Sequence, residues 1–453
     1  MEPTTTTTTT TFSGLPFEVQ EMIGPFLRPH DLARCVRVNK TWKTVFNPFL
    51  WKHLEEPEPL ESAQEMITRR GRRKESWYTI LLRCANVGAL QHNGDLIETI
   101  KFDYCSDEFL EEFVSACPYG MQQLHTAEIE GVESDDDTIS TFINLSIAGW
   151  KRLVFRLDNP DARLGFGFQS MEMLQDNVET LEVFRLEART EHVEGYTLQM
   201  FLCEAEVLKE FYVIPPSRKA MDECIQMEAW MIAKQFAQGE RWACKDLEVF
   251  GCQIMDVPRP DITRDIADMP PHDFVVKGSQ KKSIKMQRGV YKQLAQLKKL
   301  NQLTLGIPID TSSDDYMTGD KEQYRQYDCL AMTLESGLDL LKDLKNLEEI
   351  GLEDMEVYID REEEQAWVKK HWPKALIDIS DYVTDRDFFT DDDYEEGDEE
   401  EEVDYDNDDD EIHTFGGLSY IIEDFDDENY GAVYEDEDED EESTAEDFDD
   451  DSD

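Results

Sequence analysis

Residues Leu15–Leu54 carry apolar side chains at helical spacing in a segment that is short for an independent fold. The pattern predicts a first helix over Leu15–Leu27, and further helices beginning at Asp31 and Asn39, because Asp and Asn are common N-cap residues. About 40 residues bury too little apolar surface to fold alone without a disulfide, a metal or a partner. The segment has one cysteine, Cys35, so it cannot form a disulfide within itself. The pattern therefore predicts a small helical module that completes its core against another protein.

Several short motifs within this segment are similar to those of a known family. Leu15-Pro16 is followed at the matching distances by Asp31-Leu32, Val38-Asn39-Lys40 and Leu50-Trp51. The segment resembles the F-box, the adaptor-binding module of Skp–cullin–F-box (SCF) ubiquitin ligases. The resemblance implies that residues 12–54 bind a Skp-family adaptor and, through it, a cullin ligase. The residues that it assigns to the adaptor contact are Leu15, Pro16, Glu18, Ile23, Leu27, Leu32, Val36, Val38, Trp42, Leu50 and Trp51. The alternative is an ordinary three-helix fragment of a larger domain.

The charge of the chain is strongly negative and unevenly distributed. The formal net charge is −59, and residues 391–453 alone hold 35 Asp or Glu and no Lys or Arg. The first 390 residues keep 68 acidic and 44 basic side chains, or −24. Binding to nucleic acid rests largely on neutralising phosphates, so this balance disfavours nucleic acid, and it disfavours anionic membranes for the same reason. We therefore expect protein partners, and a target protein of basic character.

The nine cysteines are scattered without CxxC pairs, and the chain contains no apolar run near 18 residues. We therefore expect a reduced protein without a membrane span, located in the cytoplasm, the nucleus or both. The basic run at residues 69–74 is either a nuclear-import signal or a solvated stretch. Walker, GxSxG and HExxH motifs are absent from the sequence, so we expect no catalytic residues, no metal site and no cofactor.

A short pattern, apolar-x-x-apolar-x-apolar, recurs eight times from Ile97 onward. The eight units are Ile97/Ile100/Phe102, Leu124/Ala127/Ile129, Trp150/Leu153/Phe155, Val178/Leu181/Val183, Leu208/Phe211/Val213, Cys244/Leu247/Val249, Leu300/Leu303/Leu305 and Leu347/Ile350/Leu352. The first five begin 26 to 30 residues apart, with helical patterns between them such as 107–117. This spacing predicts an α/β leucine-rich-repeat solenoid over residues 95–380. Residues 217–241 and 257–285 interrupt it as insertions, a helical one and a long irregular loop.

An F-box followed by such repeats resembles the F-box/leucine-rich-repeat receptors of ubiquitin ligases, most closely those of fungi. The segments that carry the fungal likeness are Trp242-Ala243-Cys244, Arg259-Pro260-Asp261 and Trp367-Val368 with His371-Trp372-Pro373. The resemblance implies a non-catalytic subunit that holds a target protein for ubiquitination and degradation. Residues 1–11 are predicted to be a disordered Thr-rich lead, and residues 55–94 a linker and a helix.

Residues 390–453 alternate acidic runs with single aromatic residues. Self-repulsion of the carboxylates prevents a compact core, so a disordered tail is predicted. The tail either keeps the protein soluble or binds basic proteins. The second possibility defines an alternative function, in which the chain is an acidic scaffold or a chaperone-like binder of basic proteins.

The repeat pattern also predicts where a target binds. In the repeats as numbered above, Phe184, Tyr212, Ile214 and Phe250 occupy strand positions that face solvent. Together they would form an apolar ridge, flanked by Glu182 and Glu248. The alternatives are that the insertion at 217–241 covers these side chains, or that the register differs and turns them inward.

Overall fold

Helices and strands alternate along the part of the chain that the computed structural model describes. The described residues are 15–55, 81, 88–157, 159, 162–190, 193–216, 225–257, 279–306, 329–352, 355, 359 and 362–378. They all belong to the first of two compact units, Met1–Phe388. The predicted Thr-rich lead, the basic run at 69–74, most of the predicted loop at 257–285 and the acidic tail lie outside the described residues.

The N-terminal module consists of three helices and a short 3-10 turn. They are α1 Phe17–Glu21, the 3-10 turn Gly24–Phe26, α2 Pro29–Cys35 and α3 Lys40–Trp51. Helix α2 begins at Pro29 and not at Asp31, because proline has the backbone angle that the first helical position requires. The predicted start of the third helix is confirmed, since Asn39 Oδ1 accepts a hydrogen bond of 2.9 Å from Trp42 N.

Ten short strands form one parallel sheet, and their order in the sheet is their order along the chain. Two further strands lie outside this sheet. The ten are β1 His53–Glu55, β2 Thr99–Asp103, β3 Thr126–Glu130, β4 Arg152–Arg156, β5 Val183–Glu187, β6 Glu210–Tyr212, β8 Val249–Gly251, β10 Gln302–Thr304, β11 Glu349–Gly351 and β12 Leu376–Asp378. The two others, β7 Gln226–Glu228 and β9 Gln253–Met255, pair with each other.

Helices connect most of these strands. They are α4 Ala89–Asn93, α5 Asp107–Ser115, α6 Asp136–Ile143, α7 Phe168–Gln175, α8 Gly195–Glu204, α9 Ala229–Ala237, α10 Ser279–Leu294 and α11 Glu362–His371, with 3-10 turns Gly94–Leu96 and Leu338–Asp343. Side-chain caps fix where two of the helices begin. Ser106 Oγ accepts from Phe109 N at 3.2 Å, and Asp135 Oδ1 accepts from Thr138 N at 2.8 Å.

A row of apolar side chains runs through the core, one from each successive strand. In register, the row is Leu54, Ile100, Ala127, Leu153, Phe184, Phe211, Phe250, Leu303, Ile350 and Ile377. All except half-buried Ile377 are buried. The strands therefore share one face on a common apolar core, which the connecting helices cover.

Burial agrees with six of the eight predicted apolar units and shifts the other two by three residues. The inward units in those two repeats are Leu181/Phe184/Leu186 and Leu247/Phe250/Cys252, all buried. Because side chains alternate across a strand, an odd shift turns every side chain to the opposite face. The predicted apolar ridge is therefore wrong. Phe184 and Phe250 are fully buried, their rings 6.1 and 6.0 Å from that of Phe211, and Ile214 is buried as well.

The predicted insertions contain regular structure where they are described. Within 217–241 lie β7 and α9, and residues 217–224 are outside the described residues. The predicted loop over 257–285 extends too far, because α10 already begins at Ser279. No helix in the described ranges is both long and apolar enough to cross a membrane.

Candidate protein-interaction site

The N-terminal module has a very small internal core. The buried apolar side chains of this core are Leu32, Val45 and Phe46. Partly buried side chains complete the cluster: Leu27, Cys35, Val36, Trp42, Phe49 and Leu50. At roughly 25 cal/mol per Å² of buried apolar surface, three buried side chains are too few to offset the chain entropy of 40 residues. The module therefore depends on its surroundings for stability.

Large apolar side chains remain exposed on the surface of the module. Phe26, the last residue of the 3-10 turn, is 86% exposed, and Met22, two residues before the turn, is 70% exposed. The others are Val38, Phe17 and Val19 at 58%, 45% and 39%. Five exposed apolar side chains in such a short segment are typical of a protein-binding surface.

The local packing explains why α1 exposes its apolar residues. The residue that α1 buries is polar: Gln20 is 3% exposed, and its side chain donates a hydrogen bond of 2.8 Å to the Leu15 carbonyl. Gly24 brings the following turn against α3, where a Cβ atom would lie 2.4 Å from the Phe49 ring. The turn therefore packs through Gly24, and the neighbouring Met22 and Phe26 face solvent.

The eleven residues assigned to the adaptor by resemblance occupy three environments. Pro16, Glu18 and Val38 are exposed; Leu15, Ile23, Leu27, Val36, Trp42, Leu50 and Trp51 are half-buried; Leu32 is buried. The assignment of Leu32 to the adaptor contact is wrong, because at 4% exposure this side chain packs inside the module and presents no surface to a partner. Trp51 packs against the core of the sheet.

Sequence reasoning did not assign four exposed apolar residues of the same segment to the partner contact, namely Phe17, Val19, Met22 and Phe26. Their signal was present, since apolar residues over 15–27 occupy more helical positions than one buried face accommodates. Such an excess indicates a second apolar face that is turned outward.

The module is basic within an acidic chain. Residues 15–54 hold six Lys or Arg and three Asp or Glu. Arg34, Arg37, Lys40 and Lys43 are all exposed on α2, on α3 or between them. Asp31 lies 3.2 Å from Arg28 Nε, and this guanidinium lowers the pKa of the Asp31 carboxyl. A partner surface that combines apolar side chains with carboxylates would complement the module.

The module continues into the sheet without an intervening loop. Helix α3 ends at Trp51, and β1 begins at His53. The Lys52 carbonyl accepts hydrogen bonds from Glu98 N and Thr99 N at 2.9 and 3.2 Å, and Lys52 Nζ lies 2.9 Å from Glu98 Oε2. Asn47 Nδ2 also donates to Asn93 Oδ1 at 2.8 Å. These contacts fix the orientation of the module relative to the body.

The solvent-facing side of the sheet is polar where an apolar ridge was predicted. Arg152, Arg156 and Arg185 on β4 and β5 place their Nε atoms 2.9, 3.2 and 2.9 Å from carboxylates on neighbouring strands, those of Glu128, Glu187 and Glu210. Tyr212 is half-buried there, with the Arg185 guanidinium 5.3 Å from its ring centre. Glu182 and Glu248 lie at the surface just before their strands, where Glu182 contacts Lys209.

Comparison with known families supports the F-box resemblance of the N-terminal module and does not show leucine-rich repeats in the rest of the chain. Residues 12–56 match the family model of the F-box-like domain. This match supports an F-box protein, a class whose members are generally non-catalytic adaptors. No curated protein sequence matches the chain.

Proposed function

We propose that this chain is the target-binding subunit of an SCF-type ubiquitin ligase, and that Leu15–Leu54 binds a Skp-family adaptor. The observation that carries the proposal is the coincidence of two findings in one segment. Residues 12–56 match the F-box-like family, and the same segment exposes Phe26, Met22 and Val38 around a minimal core. F-box domains typically bind such adaptors, and an exposed apolar face with basic neighbours suits that role.

The body is proposed to be an irregular leucine-rich-repeat solenoid that holds the target. Parallel strands in chain order, each contributing to one core row and mostly followed by a helix, are the arrangement that such repeats adopt. The uneven spacing of the strands, with β7 and β9 set aside, accounts for the weak periodicity of the sequence. The fungal type of this class is part of the same proposal.

The contribution of the chain to ubiquitination is positional. The adaptor end and the target-holding body are joined rigidly through α3 and β1, so a bound target is kept at a fixed place relative to the cullin ligase. A lysine of the target then meets the activated ubiquitin at high effective concentration. The bond-forming chemistry belongs to other subunits, and the site of action is the cytoplasm or the nucleus.

The alternative function uses the acidic segment at the C-terminus as the binding element. Residues 391–453 hold 35 carboxylates and no Lys or Arg, a composition that attracts basic proteins at low salt. Removing residues 391–453 separates the two functions. A target receptor keeps its adaptor and most of its target, whereas an acidic scaffold loses its partners.

The experiment is affinity purification of the full chain and of the variant L15A/P16A, followed by identification of the co-purified proteins. Point substitutions are preferable to deleting residues 12–54, because the deletion would also remove His53 and Leu54, two of the three residues of β1. We expect the adaptor and cullin to disappear from the variant while target proteins remain. Undiminished adaptor in the variant, or no adaptor with the intact chain, would contradict the function.

A further inference from the structure

Helix α10 and its flanks form the longest stretch of this acidic sequence that lacks carboxylates. Residues 274–309 hold eight Lys or Arg and no Asp or Glu. The charge reversal is local, because the first 390 residues have an excess of 24 acidic side chains. A basic stretch of this length outside the N-terminal module calls for a physical reason specific to this helix.

The buried face of α10 is well anchored. Val290, Tyr291 and Leu294 are fully buried, and the Tyr291 hydroxyl donates to the Ala331 carbonyl at 2.7 Å. Gly289 lies so close to α9 that a Cβ atom would be 2.8 Å from that of Ala233. The helix is therefore fixed in rotation, and its opposite face has a defined position.

That opposite face is a stripe of lysines. Counting about 100° per residue around the helix axis, Lys281, Lys285 and Lys292 lie within about 40° of one another, opposite the buried face. All three are exposed, and so is the adjacent Lys282. The stripe extends over about 16 Å of helix at 1.5 Å per residue. In the part of the chain that the structure describes, Lys281, Lys282 and Lys292 form no ion pair.

Arg288, on the same helix, is a basic side chain that stabilises the fold through an ion pair. Its Nη1 and Nη2 atoms lie 2.9 and 3.3 Å from the two carboxylate oxygens of Asp339. Nearby Lys298 and Lys299 also lie beside carboxylates, Asp343 at 3.8 Å and Asp246 at 2.8 Å. Lys281 and Lys292 differ from these basic side chains, because in the described part of the chain neither of them forms an ion pair that would stabilise the fold.

We infer that the lysine stripe of α10, formed by Lys281, Lys282, Lys285 and Lys292, is a docking surface for a short acidic peptide segment of a partner protein. Lysine ammonium groups act as compact point charges and do not require the planar geometry that arginine recognises, so a run of carboxylates suits them. The surface lies outside the N-terminal module, and the inference goes beyond the proposed adaptor contact.

The charge distribution favours a short peptide over a nucleic acid or a membrane. Exposed charges are screened over about 8 Å at physiological ionic strength. A segment that is no longer than the stripe therefore experiences mainly the lysines. A duplex or an anionic bilayer extends further and meets the carboxylates of the surrounding acidic body.

The experiment measures binding of a fluorescent oligoglutamate peptide to the full chain by fluorescence anisotropy. The test variant is K281Q/K285Q/K292Q. The control variant is K151Q/K369Q/K370Q, which removes the same charge from exposed lysines elsewhere. Thermal melting of each variant verifies that it is folded.

We expect the test variant to bind the peptide about tenfold more weakly, since each exposed ion pair contributes a few tenths of a kcal/mol or slightly more. The control variant should bind like the original chain. The inference fails if the full chain does not bind the peptide, or if both variants lose binding equally. It also fails if the stripe lysines instead govern binding to duplex RNA or to phosphatidylserine vesicles while peptide binding is unaffected.

Discussion

Leu54 of β1 lies opposite Ile100 of β2, so the chain that leaves the N-terminal module forms the first strand of the sheet. Leu54 is 7% exposed and belongs to the main core. The two parts are therefore joined by backbone hydrogen bonds and shared packing. In the function proposed above, this junction would keep a fixed distance between the adaptor and the target.

The first prediction concerns the rigidity of that junction. Spin labels at Thr41 on α3 and at Lys151 beside β4, both exposed, should give a narrow distance distribution by pulsed electron resonance. A Gly-Ser insertion between Lys52 and His53 should broaden it, because such linkers behave as flexible coils. The same insertion after exposed Gly239 is the control and should leave the width unchanged. A broad distribution in the unmodified chain would refute a fixed junction.

The second prediction compares two neighbours on β5 that face opposite sides of the sheet. Replacing buried Phe184 with alanine should lower the free energy of unfolding by about 3–5 kcal/mol, as is usual for buried phenylalanine. Replacing Arg185, which is paired with Glu210 on the solvent side, should cost about 1 kcal/mol or less. Urea denaturation measures both. Similar small losses at the two positions would show that Phe184 is not a core residue.

The third prediction concerns a side-chain cap that joins the successive helices α6 and α7. Asp136 at the start of α6 accepts hydrogen bonds from Gly167 N, Gln169 N and Ser170 N at 2.8–2.9 Å, and thereby caps α7. Asp136→Ala should cost about 1–2 kcal/mol and speed hydrogen exchange in the first turn of α7. Exposed Asp137 is the matched neighbour, and Asp137→Ala should change stability by no more than about 0.5 kcal/mol. Unchanged exchange in the Asp136 variant would exclude the cap.

The fourth prediction concerns alkaline pH. Burial raises the pKa of the Cys105 and Cys244 thiols to about 12, above the usual 9.0. Between these values the unfolded chain loses the thiol protons and the folded chain keeps them. The unfolded state therefore binds fewer protons, and stability falls as pH rises above 9.

The slope between pH 9 and 12 should be about 1.4 kcal/mol per pH unit for each thiol. Replacing Cys244 with alanine removes one contribution, so the variant should lose stability less steeply over that interval than the original chain. Parallel curves for the two proteins, obtained by denaturation at several pH values, would show that this thiol ionises equally in both states.

The sequence predicted the helical module, the start of α3 at Asn39 and most of the inward positions of the strands. It failed where local patterns overlap. Leu181 belongs both to Val178/Leu181/Val183 and to Leu181/Phe184/Leu186, and local spacing cannot choose between them. The choice follows from contacts between strands, in which Phe184 packs against Phe211.

Two surfaces were missed for physical reasons that concern tertiary packing. Helix α1 buries polar Gln20 and exposes Phe17 and Val19, the reverse of an ordinary amphipathic helix. The first turns of α10 were assigned to a loop, because prolines precede them and lysines dilute their apolar pattern. In both places the side chains that face solvent were identified only once the neighbouring elements were known.

The most direct test of adaptor binding is the affinity of the purified chain for a purified Skp-family adaptor, measured by isothermal titration calorimetry. The test variant is M22D/F26D, which places charge on the exposed apolar face of the module. The control is Y119D, because Tyr119 matches Phe26 at 86% exposure but lies outside the module. A residue central to an interface often contributes about 2 kcal/mol or more, and one such loss already weakens binding ~30-fold, so the double variant should bind at least ~30-fold more weakly. The control should bind like the original chain. Equal affinity of the folded M22D/F26D variant and the original chain would contradict the assignment of this face to the adaptor.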